Sequence, residues 1–566
     1  MRMNYVTSAW NELWRQHKRT KNLLNIFAIH KNIAEKEKNA EERKQVSAKD
    51  STVQGQPKNT GNEPPKTPYS KAQMIGLILG PLLFVLTMLF FQPEGLSTEG
   101  KAVLASTLWI ATWWITEALP IPATSLLPLI LIPITGAMEG GDVASAYGND
   151  IIFLFLGGFF IATAMEKWDL HKRIALFIIS VIGTSVQRIL LGFMAATGFL
   201  SMWVSNTAAV MMMIPMGLAI TVQVASVLKG KPEEKELPKF EKALIFGIGY
   251  AGTIGGLGTL IGTPPNIILA GQLDELFGVS LSFATWMLFA FPVVVFMIFF
   301  TWLYLGKVAF KTSIKQLPGG KELIQNERNK LGKTGYEEKM VAVVFVFAAF
   351  MWITRDFLWT DGNFSIVNVP GISDGMIAVV AAILLFAIPA KKEERILSWK
   401  DSRDIPWGVL LLFGGGLAIA AGFTQTGLSD WLGQQLTVLD GFHLIVIISA
   451  ATLMIMALTE ITSNTATATM ILPVVGALAV ALNIHPFALM IPCAMAANCA
   501  FMLPVGTPPN AIIFGTGKLK IIEMIKAGFW VNIVGTVIII LAVYYFVPIV
   551  WGIDLTSIPN EFLGGN

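Results

Sequence analysis

Two stretches, "SNTAAVMMMIP" at 205–215 and "SNTATATMILP" at 463–473, place an uncharged Ser-Asn-Thr triplet, followed by a proline, inside some of the most apolar sequence of the chain. Hydroxyl and amide side chains deep in apolar surroundings are costly unless they have partners or work to do. Each triplet lies near the middle of an apolar stretch, 189–226 or 442–482, that is too long for one membrane-spanning helix. Both stretches therefore read as hairpins that enter and leave a membrane on the same side, with the triplet at the tip.

The surrounding sequence has the same character. The chain of 566 residues is 54% hydrophobic and only 14% charged, against about 25% charged in ordinary soluble domains. Hydropathy predicts eleven spans, at 73–91, 102–118, 121–137, 151–168, 243–272, 285–305, 340–355, 374–390, 405–424, 486–515 and 527–550. The expected fold is an all-α polytopic membrane protein with eleven transmembrane helices and two re-entrant hairpins.

The basic residues fix its orientation. With the N-terminus inside, the short stretches 166–188, 229–242, 307–339, 391–403 and 518–526 face the cytoplasm and carry 25 Lys and Arg, whereas only Lys101 and Arg355 face outward. This is the asymmetry that governs membrane insertion. Treating the first hairpin as a single span would invert the later loops and abolish the bias. The expected location is the plasma membrane, multi-pass, with a cytoplasmic N-terminus and an extracellular C-terminus. The first 72 residues carry 14 Lys and Arg and no signal peptide. Residues 11–30 have the pattern of a basic amphipathic helix lying on the inner leaflet, and a disordered basic tail is the alternative.

The motifs come in pairs. "LFLGGF" at 154–159 resembles "LLFGGG" at 411–416, and the Ser-Asn-Thr triplets follow 51 and 52 residues later. "IGTPPNIILAG" at 261–271 then matches "VGTPPNAIIFG" at 505–515. The first copy, about 102–310, starts outside and the second, about 340–550, starts inside. The chain is thus an inverted-topology repeat, the build of secondary transporters whose site lies at the repeat interface near mid-membrane.

Pro264-Pro265 and Pro508-Pro509 cannot sit within a continuous helix, because each proline lacks an N–H and its ring clashes with the preceding turn. Each pair breaks a helix at membrane depth, which is tolerated only against protein or a polar cavity. Freed carbonyls suit a cation, while the start of a half-helix suits an anion. Ser, Asn and Thr serve either sign. No Lys or Arg occurs at 189–228, 243–306 or 404–517, the windows that hold all four motifs. A dianionic solute would need its charge offset by helix N-termini and by bound cations. Oxygen ligands of this kind suit a hard alkali cation rather than a transition metal.

Paired Ser-Asn-Thr hairpins, each followed by Gly-Thr-Pro-Pro-Asn, resemble the divalent anion:sodium symporter family, and over about residues 73–550 the chain looks similar to its Gram-positive bacterial sodium-dependent dicarboxylate members. The resemblance implies a homodimer, surrounded by membrane lipid, in which an elevator-like transport domain slides along a fixed scaffold. By position, residues 1–72 form the cytoplasmic tail, 73–184 and 338–440 the scaffold, 185–310 and 441–551 the transport domain, 311–337 a cytoplasmic basic loop and 552–566 an extracellular tail. The resemblance also implies that Ser205, Asn206, Thr207, Thr263, Ser463, Asn464, Thr465, Thr507 and Pro508 bind substrate. It implies one sodium site at Ser201, Ser205, Asn206 and the Gly262 carbonyl, and a second at Thr459, Asn464 and the carbonyls of Thr462 and Gly506. Ser201 and Thr459 each precede the motif serine by four residues, so each can turn its hydroxyl toward the tip.

The expected function is sodium-coupled symport of C4-dicarboxylates such as succinate, fumarate and malate, with sodium co-transported. A sodium-independent dicarboxylate exchanger and a sodium-coupled citrate or sulfate transporter are the alternatives. Five scattered histidines and the pair Cys493 and Cys499 form no nucleophile–base or metal set, so an enzyme is not expected, nor is nucleic acid as a partner. "GIGYAG" at 247–252 matches a dinucleotide fingerprint but follows no strand, and its glycines read as helix-packing positions. Glu460, a carboxylate inside a membrane segment, is expected to hold the second hairpin tip or attract sodium, with proton coupling the alternative.

Overall fold

The computed structural model describes residues 69–183, 185–314, 320–360, 369, 371–391, 393–436 and 441–559. The expected amphipathic helix at 11–30 and most of the tail that holds it lie outside the described residues, as does the end of the C-terminal tail.

Among the described residues every regular element is helical. α1 (Lys71–Phe90) begins where Ser70 and Gln73 cap one another reciprocally, and it packs against α2 (Thr98–Thr116), whose first turn is capped by Ser97. Seven helices then follow in an order that recurs later. They are α3 (Asp150–Lys167), α4 (Leu170–Ile182), α5 (Val186–Ser201), α6 (Asn206–Leu228), α7 (Leu237–Gly255), α8 (Pro264–Phe277) and α9 (Phe283–Tyr304). After α10 (Tyr336–Thr354) and α11 (Asp374–Ala387), the same series returns. It runs α12 (Trp407–Gln425), α13 (Leu428–Leu436), α14 (Leu444–Thr459), α15 (Asn464–Ala481), α16 (Phe487–Ala497), α17 (Pro508–Gly515) and α18 (Ile521–Trp551). The internal repeat read from the motifs is thus present as a repeat of elements.

The two expected hairpins are α5–α6 and α14–α15, and the expected spans at 243–272 and 486–515 are the broken pairs α7–α8 and α16–α17. Among the described residues, eight helices are long and apolar enough to cross a membrane, and α6 and α15 are two of them. By length alone these hairpin arms count as spans; the triplet at the start of each marks the turn instead.

Three expectations need correction. The stretch 121–137 is not one helix but two short ones, Ile121–Thr124 and Pro128–Ile134, because Pro128 has no N–H to carry the backbone ladder across from the first to the second. The stretch 166–188 is not a plain loop. It contains α4, set off by Asp169 at φ 57° before it and Gly183 at φ 111° after it. α4 buries Leu170, Ala175, Leu176 and Ile179, exposes Phe177 and Val181, and ties itself to the start of α10 through Arg173 and Glu338. Basic residues in "LHKRIALFIISVI" mask that amphipathic helix in a hydropathy reading. The cytoplasmic basic loop expected at 311–337 likewise contains a helix, Gly320–Lys330.

Small residues set the crossings that locate the site. A Cβ on Gly157 of α3 would lie 2.5 Å from the Ala378 backbone of α11, and one on Gly255 at the end of α7 would lie 2.2 Å from the Gly198 carbonyl oxygen of α5. Only glycine admits backbones this close. In the fingerprint-like "GIGYAG", Gly247, Gly249 and Gly252 pack against Leu190 and Met194, Ile513, and Val210. Gly157→Val should therefore overpack the α3–α11 crossing and cost about 1–3 kcal/mol. Thermal unfolding of purified protein should show a lowered midpoint, whereas Gly141→Ala, where a Cβ meets nothing within 4 Å, should leave it unchanged.

Candidate functional site

The freed carbonyls of the broken helices have partners that the sequence reading did not assign. Asn266, the last residue of the first Gly-Thr-Pro-Pro-Asn motif, donates Nδ2 to the carbonyls of Gly256 (3.1 Å), Leu257 (3.2 Å) and Thr259 (2.7 Å). Asn510 does the same in the second copy, donating to Ala500 (2.8 Å) and Leu503 (2.9 Å). Both asparagines are fully buried. The motif thus contains both the break and its repair: prolines open the ladder, and the amide one residue on collects the loose carbonyls.

The prolines also decide which helix ends face an anion. α8 and α17 begin with Pro-Pro, so their first two positions have no N–H to offer. The next N–H is already satisfied: Asn266 N reaches the Thr263 carbonyl (3.2 Å) and Asn510 N the Thr507 hydroxyl (3.2 Å). The positive ends open to solvent are instead those of α6 and α15. Their caps are Ser205 and Ser463, and their first residues are Asn206-Thr207 and Asn464-Thr465.

These elements converge on one cavity of about 1300 Å³. Ser205, Asn206, Thr207, Gly262, Thr263, Thr462, Ser463, Asn464, Thr465, Gly506, Thr507 and Pro508 all line it. One scaffold-like wall comes from Phe155, Phe159, Ala162 and Thr163 of α3, and the mouth carries Ser70, Gln73, Glu117, Glu166 and Asp404. Among the described residues no Lys or Arg lines the cavity.

Ser201 and Thr459, the two remaining candidates, sit buried just behind the cavity wall. The Ser201 hydroxyl lies 2.6 Å from the Asn206 side-chain amide and 2.5 Å from the Gly252 carbonyl oxygen. Thr459 repeats this, 2.7 Å from Asn464 Oδ1 and 2.6 Å from the Ala497 carbonyl oxygen. A hydroxyl has a single proton, so it cannot donate to both neighbours at once. The Asn206 amide can present either end to this cluster. Turned nitrogen-inward, its two N–H groups have three acceptors in reach, Ser201 Oγ (2.6 Å), the Gly262 carbonyl (3.1 Å) and the Gly252 carbonyl (3.3 Å). Turned oxygen-inward, it completes a set of converging oxygens that suits a hard cation. The two broken helices are joined by Asn498: it accepts from Thr263 Oγ1 (2.7 Å) and donates to the Thr253 carbonyl (2.7 Å), bridging the two repeats beside the cavity.

The family model described as the sodium:sulfate symporter transmembrane region matches residues 71–553. The chain belongs to the divalent anion:sodium symporter family. It is thus a multi-pass membrane transporter and not an enzyme. It is 58% identical over 492 residues to a Staphylococcus saprophyticus protein named sodium-dependent dicarboxylate transporter SdcS, covering 86% of this chain and 94% of that one. A Staphylococcus aureus protein of the same name is 57% identical over 495 residues, covering 87% and 94%. Among solved structures, Neisseria gonorrhoeae MtrF matches with a TM-score of 0.51 at 12% identity, covering 84% of this chain and 95% of its own. The Alcanivorax borkumensis YdaH transporter matches with a TM-score of 0.51 at 13% identity, covering 80% and 99%. At those identities the likeness is one of fold.

Asn266→Ala and Asn510→Ala in this symporter should each strand two or more buried carbonyls, at a cost of about 1–3 kcal/mol. Asn266→Asp and Asn510→Asp should do no better, since a carboxylate cannot donate. Thermal unfolding of the purified variants checks both, and an aspartate variant as stable as wild type would remove the donor role.

Proposed function

We propose that this chain is a sodium-coupled symporter that carries C4-dicarboxylates such as succinate, fumarate and malate into the cell. The observation that carries the reading is that both Ser-Asn-Thr tips and both Gly-Thr-Pro-Pro-Asn motifs open onto one cavity that, among the described residues, no basic side chain lines. The substrate's carboxylates lie at the N-termini of α6 and α15, against Ser205, Asn206, Thr207, Thr263 and their counterparts Ser463, Asn464, Thr465, Thr507 and Pro508. One sodium sits among Ser201, Ser205, Asn206 and the Gly262 carbonyl, the other among Thr459, Asn464 and the carbonyls of Thr462 and Gly506. Asn206 and Asn464 belong to both kinds of site. Each amide presents its oxygen inward to the cation, and the adjoining helix start presents its N–H groups outward to the anion. Bound sodium therefore builds the anion site, which is the physical basis of coupling. The names of the staphylococcal relatives support sodium and dicarboxylate as the pair.

Residues 73–184 and 338–440 act as the scaffold and 185–310 and 441–551 as the moving domain, in a homodimer in the plasma membrane. With the N-terminus cytoplasmic and the C-terminus extracellular, the mouth at Ser70, Glu117, Glu166 and Asp404 opens inward. This is the state from which an elevator carrier releases its load.

Reconstituted protein should take up labelled succinate only along an inward sodium gradient. Uptake that ignores sodium and needs internal dicarboxylate would make it an exchanger, and sulfate or citrate outcompeting succinate would move the substrate class. Asn206→Ala and Asn464→Ala should each reduce uptake to background with protein still folded in the membrane. Ser201→Ala should transport but need several-fold more sodium.

A further inference from the structure

The two sodium sites proposed above are built on the same plan, but a charge separates them. Three residues before the motif serine, the first repeat has Met202 and the second has Glu460. Glu460 is 3% exposed. Its Oε1 accepts from the backbone N–H of Phe501 (2.8 Å) and Met502 (3.1 Å) and from Asn532 Nδ2 (2.6 Å), and its Oε2 from the N–H of Met502 (3.2 Å) and Leu503 (3.2 Å). Every one of these partners is a donor. A protonated carboxyl would bring a donor of its own into a pocket made of donors, so the pocket is built for the carboxylate. Every donor is also neutral, and no Lys or Arg occurs from 404 to 517. The dipoles solvate the negative charge without cancelling it, and in a region of low dielectric its field reaches the neighbouring groups.

Those groups are the second sodium site. Glu460 directly follows Thr459 and precedes Thr462 by two residues. The 501–503 segment that it grips leads into Gly506, and a Cβ on Gly506 would lie 3.5 Å from the Glu460 carbonyl oxygen. The first repeat closes its own break without charge. There the Met202 carbonyl accepts from Thr259 Oγ1 (2.5 Å), and Trp286 Nε1 donates to the Leu257 carbonyl (3.0 Å). A neutral arrangement can therefore hold such a tip, and the carboxylate in the second copy does something that holding alone does not require.

We propose that Glu460 is a fixed countercharge that makes the sodium site of the second repeat the tighter of the two and the first to fill. Sodium entering there meets a negative potential already in place, whereas the site at Ser201 and Asn206 relies on dipoles until the dianion arrives. Glu460 touches neither ion nor solute; it is a positioning residue that acts through its field and through the 501–503 backbone.

The inference rests on the sodium sites of the proposed function, and one experiment separates the two. Full-length protein is titrated with sodium, first as thermal stabilisation in detergent without substrate and then as succinate uptake in proteoliposomes. Glu460→Gln should raise the half-saturating sodium concentration roughly five- to tenfold, with maximal uptake at high sodium largely retained. Glu460→Gln combined with Asn532→Asp returns a carboxylate to the same cluster and should recover most of the sodium affinity, which a purely structural role would not predict. The effect of Glu460→Gln should be non-additive with Thr459→Ala and additive with Ser201→Ala. If Glu460→Gln does not fold, the order of filling is read from the single variants alone. Thr459→Ala must then remove the low-sodium phase of stabilisation and Ser201→Ala the later one. An unchanged sodium dependence in folded Glu460→Gln, or the reverse order of phases, overturns the proposal while leaving the sites standing. If neither Ser201→Ala nor Thr459→Ala alters the sodium dependence, the sites fall and the proposal falls with them.

Discussion

The constraint on which the structure turns is that a charged solute must be met at membrane depth without a charged partner. Among the described residues no Lys or Arg lines the cavity, and none occurs in the windows 189–228, 243–306 and 404–517 that hold its motifs, so the positive field there has to come from the backbone itself or from ions that arrive with the solute. The consequences run through the fold. A helix that starts at mid-depth needs a chain that turns there, hence hairpins and broken helices rather than straight spans. A break needs its carbonyls collected, hence the buried asparagine that closes each Gly-Thr-Pro-Pro-Asn motif. Backbones that meet at a hairpin tip need room, hence Gly198 against Gly255.

The division of labour between the two kinds of motif follows from proline chemistry. A Pro-Pro start makes α8 and α17 poor anion receptors, because the positions that would donate have no hydrogen to give. Just before them Gly262 and Gly506 lie in non-helical segments that line the cavity. The Ser-Asn-Thr starts of α6 and α15 keep their N–H groups and face the cavity. One motif thus presents oxygen and the other presents hydrogen, and the asparagine of each triplet stands where the two meet.

Most of the architecture was legible in the sequence because its signals are periodic or doubled. Apolar runs located the spans, and the paired motifs exposed the repeat. The stretches that misled carry conflicting signals. Pro128 breaks an apolar run that hydropathy reads as continuous. In α4, His171, Lys172 and Arg173 disguise an amphipathic helix as a loop. In the site, the triplets, Thr263 and Thr507 were named from the sequence, and they line one cavity. Asn266, Asn510 and Asn498 were not, because their work is hydrogen bonding to segments that only the folded chain brings near. A signal was available for the first two: the motif's terminal asparagine recurs with the prolines, and a backbone break at depth demands a donor. Glu460 stood out as expensive, but which donors offset that expense depends on α18 and the 501–503 loop, and no spacing rule joins them.

The pseudo-twofold layout of the pocket has a stereochemical consequence. Ser205-Asn206-Thr207 on one flank and Ser463-Asn464-Thr465 on the other offer nearly the same chemistry to either end of a ligand. A molecule whose halves are equivalent can lie head-first or tail-first with little difference in fit. The end-to-end orientation of an unsymmetrical acid can therefore be biased only where the groups lining the two flanks diverge, as at Ile261 against Val505. Which end of such an acid leads is a readout of how far the two halves have drifted apart.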